Sequence, residues 1–291
     1  VVDGIAHPLV AITALTSLAF FLPSLFAGVP APVLTVAAMR GRDQSERALG
    51  AMFASGAIGA IAGTLMAGFV FVPLLGSVTT LLVISAIYTI AAMMCFRLGA
   101  VSLRGAVAPL IAIAIAGFIG MRALALPAIC DHESSYYCIR TVDLSENPAD
   151  PVHLMVVDHL AHGISAKEAP RVMFTPHAAM LDALPRMRMG SAAFTSFHIG
   201  GGSYSVPRSW ADRGIAGITI AEIDPEVTAT AIDNFWFDPT TVTILHSDAR
   251  AALRQSDQTF DVIVGDAFTD IAVPEHLVTL EFFRLVAARL S

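Results

Sequence analysis

The sequence predicts a region of four transmembrane helices followed by an α/β domain built on a parallel sheet. Only 3 of the 24 acidic residues and 6 of the 17 basic residues precede residue 128, and four long apolar segments lie in that part. After residue 193, four short apolar runs are each followed at once by glycine or a carboxylate. This pattern is typical of the carboxyl ends of parallel strands.

The four apolar segments are the candidates for membrane crossing, and they cover residues 9–39, 48–72, 78–96 and 105–126. Each reaches the roughly 20 residues that a helix needs to cross a bilayer. Small residues recur at three- and four-residue spacing in the second segment, which favours close helix packing; they are Gly56, Gly59, Gly63 and Ala67. No acidic residue interrupts the segments, so the pattern does not indicate a transporter or an ion pathway.

The loop arginines predict the orientation of this multi-pass region. The first and third loops carry Arg40, Arg42, Arg47, Arg97 and Arg104, whereas the loop at residues 73–77 carries no basic residue. The positive-inside rule places the basic loops in the cytoplasm. With four crossings, the chain after residue 126 then lies outside the cytoplasm.

The apolar runs in the second half end in residues suited to a nucleoside site. Gly200, Gly201 and Gly202 follow the run at residues 194–199 and allow the backbone to turn tightly and approach a ligand. Glu222 comes about 20 residues later, at the end of the next run, where a carboxylate can accept hydrogen bonds from a ribose diol. Asp248 follows the third run, and its carboxylate can accept a hydrogen bond from an adenine amino group.

Two aspartates after the fourth run, Asp266 and Asp270, are the candidates for chemistry. The glycine segment GGGSYS has Ser205 where a dinucleotide motif has its third glycine, which disfavours a nicotinamide or flavin site. Asp224 precedes Pro225, so it has an alternative role as a helix cap. Glu222 ends a strand and is therefore favoured as a ligand residue.

The segments IGGGSY, AEIDPEV, HSDAR and VGDAFTD, followed by VPEHLVTLEFF, resemble the spermidine synthase family of class I methyltransferase-like, Rossmann-like proteins. ESSYYCIRTV, LMVVDHLAHG and the second apolar segment resemble, more narrowly, the bacterial membrane-anchored fused MFS/spermidine synthase proteins. The resemblance implies a bacterial inner membrane location. It also implies a small β-rich region before the nucleoside domain, which divides the chain into residues 1–127, 128–190 and 191–291.

The resemblance further implies an aminopropyltransferase that uses decarboxylated S-adenosylmethionine, or S-adenosylmethionine, as cosubstrate and needs no metal. Asp266 would position and deprotonate the attacking amine, and Asp270 would bind a second ammonium group of a polyamine. The implied nucleoside-binding residues are Gly200, Gly201, Gly202, Glu222, Asp248 and Ala249. The segment PHAAMLDALP departs from the family pattern, because it lacks the tyrosine and the glutamate found there.

Cysteine and histidine positions leave alternatives open. Cys130 and Cys138 can pair in an oxidising compartment, or they can be two unpaired neighbouring thiols. Asp158, His159 and His162 match the membrane-anchored relatives, and we interpret these histidines as packing or turn residues. Asp131 and His132 give only a weak metal signal, because the cysteine spacing is unusual for zinc.

Charge and chain ends bear on the partners and on two alternative functions. After residue 127 the chain carries 21 acidic and 11 basic residues, which favours cationic polyamines over nucleic acid.

Val1 suggests a processed or incompletely represented amino terminus. The sheet looks truncated after the helix predicted at residues 278–290. Three interpretations stay open: the sequence is incomplete, another copy or a membrane-complex partner covers the open edge, or the domain has lost its catalytic half.

The alternatives are a catalytically silent accessory or structural subunit of a membrane complex and an S-adenosylmethionine-dependent methyltransferase. The truncated sheet, the altered PHAAMLDALP segment and the outside location favour the accessory subunit, since a cytosolic cosubstrate conflicts with that side of the membrane. The retained glycines and carboxylates favour an enzyme. A methyltransferase would share the nucleoside site and differ in its acceptor.

Overall fold

The computed structural model describes residues 8–39, 45–98, 103–126, 128–190, 193–268 and 272–291. By its internal contacts the chain divides into two compact units, Val1–Gly68 and Phe69–Ser291. The domain boundaries expected near residues 127 and 190 stay predictions.

The first unit consists of helices whose apolar side chains face outward. They are α1 (Pro8–Thr16), α2 (Leu22–Gly28), α3 (Pro30–Met39) and α4 (Ser45–Met66), with a π-helical turn, Ser17–Phe21, between the first two. Leu18, Phe20 and Phe26 are exposed. Exposed apolar surface of this extent marks an interaction with lipid or with another protein.

The break predicted at residues 73–77 is a kink at Gly76 between two helical stretches rather than a loop. The π-helical turn Ala67–Phe71 leads into α5 (Val72–Leu98), which is kinked at Gly76, where φ is 74°. Proline lacks an N–H group and its ring crowds the carbonyl four residues earlier, and a wider π turn just before Pro73 accommodates both effects. The next helix is α6 (Leu103–Ala125).

Within the described residues, two helical stretches are long and apolar enough to cross a membrane, judged by length and composition: Leu9–Met39 and Glu46–Met94. In α6, the apolar stretch Ile113–Arg122 is shorter. The described residues therefore offer two candidate spans where the sequence predicts four, because the second and third apolar segments share one stretch that bends at Gly76 and the apolar part of the fourth is too short.

The predicted β-rich region is a four-stranded antiparallel sheet in the order β1-β2-β3-β4. Its strands are β1 (His132–Glu133), β2 (Cys138–Asp143), β3 (Val152–Val157) and β4 (Leu160–Ala166). A disulfide joins Cys130 to Cys138, the pair that the sequence left open. Glu133 accepts two hydrogen bonds from Ser77, one from the hydroxyl and one of 2.9 Å from the backbone N–H, beside the kink in α5.

The second sheet is parallel, in the order β7-β6-β5-β8. Its strands are β5 (Ser196–Ile199), β6 (Ile218–Glu222), β7 (Thr243–His246) and β8 (Val262–Gly265). The helices of this part are α7 (Pro176–Met189), α8 (Ser205–Asp212), α9 (Pro225–Asn234), α10 (Ala249–Gln255) and α11 (Leu280–Arg289).

Two clusters of buried side chains form the core of this part. One joins Trp210 and Phe235 to Ile139 and Met155 of the antiparallel sheet, so both sheets share a core. The other contains Phe197 and neighbours from α10 and α11. Beside the start of β8, the backbone of Phe260 pairs in parallel with Leu290.

A buried histidine in the central strand makes stability depend on pH. Burial lowers the pKa of His198 to about 3, from the ordinary 6.5. Above pH 6.5 the ring is neutral in both the folded and the unfolded state. Below pH 6.5 the unfolded chain binds a proton on this ring, whereas the folded state stays neutral down to about pH 3. The free energy of unfolding therefore decreases as the pH is lowered.

We therefore expect the free energy of unfolding to decrease between pH 7 and pH 5 by about 2 kcal/mol more in the wild-type protein than in His198→Gln. Glutamine retains a polar atom for the contact with Ser196 Oγ, which lies 3.3 Å from His198 Nε2, but it does not titrate. Urea unfolding of the detergent-solubilised proteins at both pH values measures the difference. Parallel pH dependences would show that His198 does not carry the effect.

Candidate nucleoside site

The candidate residues meet at one edge of the parallel sheet because of the strand order. β5 lies between β6 and β8, and chain order runs in opposite directions on its two sides. Ligands of open α/β sheets bind at such a switch point, outside the carboxyl ends of the strands. The glycine turn after β5 therefore adjoins the ends of both neighbouring strands, where Glu222 and Asp266 lie.

The glycine turn needs its glycines for both backbone conformation and space. Gly200 has φ 90°, and a Cβ built there would lie 2.5 Å from the backbone oxygen of Asp266. Gly202 has φ 52°, and its added Cβ would lie 3.1 Å from the backbone oxygen of His162 in β4. Substitution of either residue would therefore disturb the turn. The glycine turn, β8 and the antiparallel sheet are in direct contact here.

Glu222 ends β6 and holds the glycine turn with its carboxylate. One oxygen accepts a hydrogen bond from Gly201 N at 2.7 Å, and the other accepts one from Asp224 N at 2.9 Å. The residue is 5% exposed. Burial raises the pKa of Glu222, while the backbone N–H groups favour its ionised form. A cation bound nearby would favour that form as well.

Asp224 is the helix cap that the sequence offered as an alternative. Its Oδ1 accepts a hydrogen bond of 3.0 Å from Glu226 N at the start of α9. Its Oδ2 accepts a hydrogen bond of 2.5 Å from Ser134 Oγ of the disulfide-closed loop. Asp224 therefore ties the antiparallel region to the nucleoside domain.

Asp248 is both a helix cap and a cavity residue. Its Oδ1 accepts a hydrogen bond of 2.9 Å from Ala251 N in the first turn of α10, and Ala249 begins that helix. Its Oδ2 lies 2.6 Å from Nε2 of His276. An adenine amino group at this position would therefore have to share Oδ2 with His276 or displace it.

Asp266 follows β8 directly, and its backbone N–H donates to Ile199 O at 2.9 Å. Its Oδ1 lies 2.8 Å from Nε2 of His177 in the first turn of α7. Asp266 faces the same cavity as Glu222 and Asp248. Asp270 lies outside the described residues.

The cavity measures about 160 Å³, and three carboxylates line it: Glu222, Asp248 and Asp266. Tyr137 and His162 of the antiparallel region line it too. Burial raises the pKa of Tyr137 to about 12, with Glu222 adding to the shift, and burial lowers the pKa of His162. The cavity thus combines carboxylates from the sheet edge with neutral rings at neutral pH, an arrangement suited to a cationic ligand.

Sequence reasoning missed the roles of several of these side chains. His162 was interpreted as a packing or turn residue, yet it lines the cavity. His177, His276 and Tyr137 were not singled out, although two of them contact candidate carboxylates. The hydrogen bonds from His177 to Asp266 and from His276 to Asp248 join residues 89 and 28 positions apart, a separation that no local pattern reports.

Among the described residues, no group of three or more potential ligands could hold a metal ion.

The parallel sheet with its glycine turn and strand-end carboxylates has a Rossmann-like, class I methyltransferase-like fold, and comparison with known proteins supports this fold class. No family model matches the chain. One solved structure, a probable spermidine synthase from Corynebacterium glutamicum, is 21% identical with a TM-score of 0.50. The alignment covers 57% of this chain and 61% of that one.

Curated relatives match shorter stretches. A polyamine aminopropyltransferase of Vibrio vulnificus is 39% identical over 89 residues, which is 29% of this chain and 30% of the relative. A probable polyamine aminopropyl transferase of Bifidobacterium longum is 35% identical over 74 residues, 25% of this chain and 16% of the relative. An N-terminal histidine N-methyltransferase of Emericella nidulans is 37% identical over 121 residues, 40% of this chain and 20% of the relative.

This chain therefore spans less than a third of each of these three curated relatives. Its parallel-sheet domain resembles a probable spermidine synthase in fold, and short stretches of the chain are similar in sequence to aminopropyl transferases.

Proposed function

We propose that this chain belongs to a membrane-anchored aminopropyltransferase resembling spermidine synthase. The donor is decarboxylated S-adenosylmethionine, and the acceptor is a polyamine. The single observation that carries the proposal is the convergence of Glu222, Asp248 and Asp266 on one cavity beside the glycine turn. Similarity to two proteins named as aminopropyl transferases supports the donor class.

The side chains fit a sulfonium nucleoside by charge and by hydrogen bonding. One oxygen of Glu222 accepts from the glycine turn and the other from Asp224 N, and both retain lone pairs for a ribose diol. Asp248 accepts a hydrogen bond from the adenine amino group, and the negative charge of the carboxylates offsets the positive charge of the sulfonium. The cavity of about 160 Å³ is smaller than the roughly 300–1,000 Å³ of ligand pockets. We therefore expect binding to widen it, beginning at the contact between His276 and Asp248.

In the proposed reaction, the nitrogen of a neutral amine attacks the carbon bonded to sulfur. A C–N bond forms, the C–S bond breaks, and the electron pair of the C–S bond stays on sulfur, which leaves as a neutral thioether. Asp266 accepts the proton that the attacking nitrogen loses as the C–N bond forms. Positioning of the amine and removal of its proton are the contributions of the protein. The assignment of Asp270 to a second ammonium group is part of the same proposal.

The amino-terminal helices supply the proposed anchor in a bacterial inner membrane. Two candidate spans support anchoring, and the prediction of four crossings would divide the second at the Gly76 kink. The disulfide between Cys130 and Cys138 supports an extracytoplasmic position for the region that follows, because disulfides persist in oxidising compartments. The substrate would then have to be present on that side.

Calorimetry on the detergent-solubilised full chain tests the proposal. We expect decarboxylated S-adenosylmethionine to bind with a sub-millimolar Kd, and NAD, which the glycine pattern disfavours, to give no heat of binding. If neither decarboxylated S-adenosylmethionine nor S-adenosylmethionine binds at millimolar concentration, the enzyme proposal fails and the accessory-subunit interpretation takes its place.

Methyl transfer from S-adenosylmethionine is the second candidate, because the similarity to a histidine N-methyltransferase covers 40% of this chain. The two donors differ by one carboxylate. Their relative affinities in the same calorimetric experiment distinguish the candidates, since tighter binding of the carboxylated form would favour methyl transfer.

A further inference from the structure

The contact between His177 and Asp266 joins the proposed base to a residue outside the cavity. Nε2 of His177 lies 2.8 Å from Oδ1 of Asp266. A carboxylate can only accept a hydrogen bond, so Nε2 carries the hydrogen in this contact. Asp266 lines the cavity, whereas among the described residues His177 is not part of its lining. His177 therefore contacts Asp266 without lining the cavity itself.

Local structure holds His177 in this place. It is the second residue of α7, whose first turn is fixed by Pro176 and by the cap of Thr175, with Ala178 N donating to Thr175 Oγ1 at 3.2 Å. The ring of Phe268 meets the imidazole edge to face, with centroids 6.2 Å apart. The helix start and the aromatic contact restrict the positions available to the imidazole.

The backbone of Asp266 is fixed as well. Its N–H donates to Ile199 O, and its carbonyl packs against Gly200. Side-chain rotation about Cα–Cβ and Cβ–Cγ is the freedom that remains, and the bond to His177 removes it. With Oδ1 held by the histidine, Oδ2 is the oxygen that we assign to accept a proton from a molecule in the cavity.

We propose that His177 is a positioning residue for Asp266, a proposal that rests on the aminopropyl transfer proposed above. It sets the orientation in which Asp266 receives the amine proton as the C–N bond forms. The proton moves from nitrogen to Oδ2, and the N–H of His177 stays bonded to Oδ1. Because His177 does not line the cavity, its effect passes through Asp266.

A plain surface ion pair is the competing interpretation, and it makes a different prediction. The side chains of His177 and Asp266 are 53% and 37% exposed. Exposed pairs contribute at most about 1 kcal/mol to stability and nothing to the rate of a reaction. A positioning role instead lowers kcat and leaves unfolding and nucleoside affinity almost unchanged, because misplacement of a reacting group by about 1 Å can cost about 100-fold.

The test compares His177→Ala with His177→Gln, whose side-chain N–H can replace Nε2–H. Transfer from decarboxylated S-adenosylmethionine to a short alkane diamine is measured on the full chain, together with the nucleoside Kd. We expect His177→Ala to lower kcat about 10- to 100-fold with the Kd unchanged within about twofold. We expect His177→Gln to recover most of the rate. His132→Ala, a change at an exposed histidine in β1, serves as the matched control.

A kcat of His177→Ala equal to that of the wild type would overturn the positioning role while leaving aminopropyl transfer in place. A wild-type protein that binds no sulfonium nucleoside, or that binds one but transfers to no diamine, would overturn the proposed function itself and the positioning role with it.

Discussion

Asp266→Asn is expected to abolish group transfer while the fold and the nucleoside affinity stay nearly intact. Asparagine keeps the shape of aspartate, and its Oδ1 can still accept the hydrogen bond from His177. It cannot accept the amine proton. Loss of a general base costs about 100- to 10,000-fold in rate, so transfer to a diamine should fall near the detection limit.

The measurement combines a transfer assay with calorimetric titration of the nucleoside. Asp257→Asn removes an exposed carboxylate outside the cavity and serves as the control, with an expected wild-type rate and Kd. If Asp266 were only a structural residue, its replacement would cost about 1 kcal/mol of stability and leave the rate unchanged. Wild-type transfer by Asp266→Asn would therefore remove the proposed base.

Glu222→Gln is expected to weaken nucleoside binding by about 100-fold or more. The carboxylate now accepts from Gly201 N and Asp224 N, and an amide NH₂ group facing either N–H would place two donors together. The variant also loses charge-assisted hydrogen bonds to the ribose, worth about 1.5–3 kcal/mol each, and about 1.4 kcal/mol corresponds to a tenfold change in Kd.

Calorimetry with decarboxylated S-adenosylmethionine checks this prediction, again with Asp257→Asn as the matched carboxylate change. Urea unfolding of Glu222→Gln is measured in parallel, because the side chain also holds the glycine turn. A variant that remains folded and binds with the wild-type Kd would show that Glu222 braces the turn and does not contact the ligand.

Much of the nucleoside domain could be predicted from the sequence because its signals are local. The four predicted strands exist, although each begins two or three residues later than its apolar run. At Thr195 the backbone N–H donates to the side chain of Asp261 at 2.7 Å and is not part of the ladder. At Gly217 a φ of 73° delays the start of β6. An apolar pattern indicates which residues are buried, whereas strand pairing depends on which acceptor each backbone N–H group binds.

The membrane region was predicted less well. Apolar length identified the helices, but the break expected at residues 73–77 proved to be a helical kink at Gly76. Composition cannot separate a loop without charges from a kinked helix, because both leave the same run of apolar residues. The hydrogen bond between Ser77 N and Glu133, at 2.9 Å across 56 positions, stabilises the kink and is invisible to a local pattern.

By itself, the sequence determined the glycine turn and the carboxylates at three strand ends, since residues that end a parallel strand must lie at one edge of the sheet. Only the tertiary structure decided what surrounds those carboxylates. His177 reaches Asp266 from α7, and Tyr137 and His162 reach the cavity from the antiparallel sheet. The physical reason is that hydropathy and spacing describe one element at a time, whereas these contacts form when separate elements pack on a shared core.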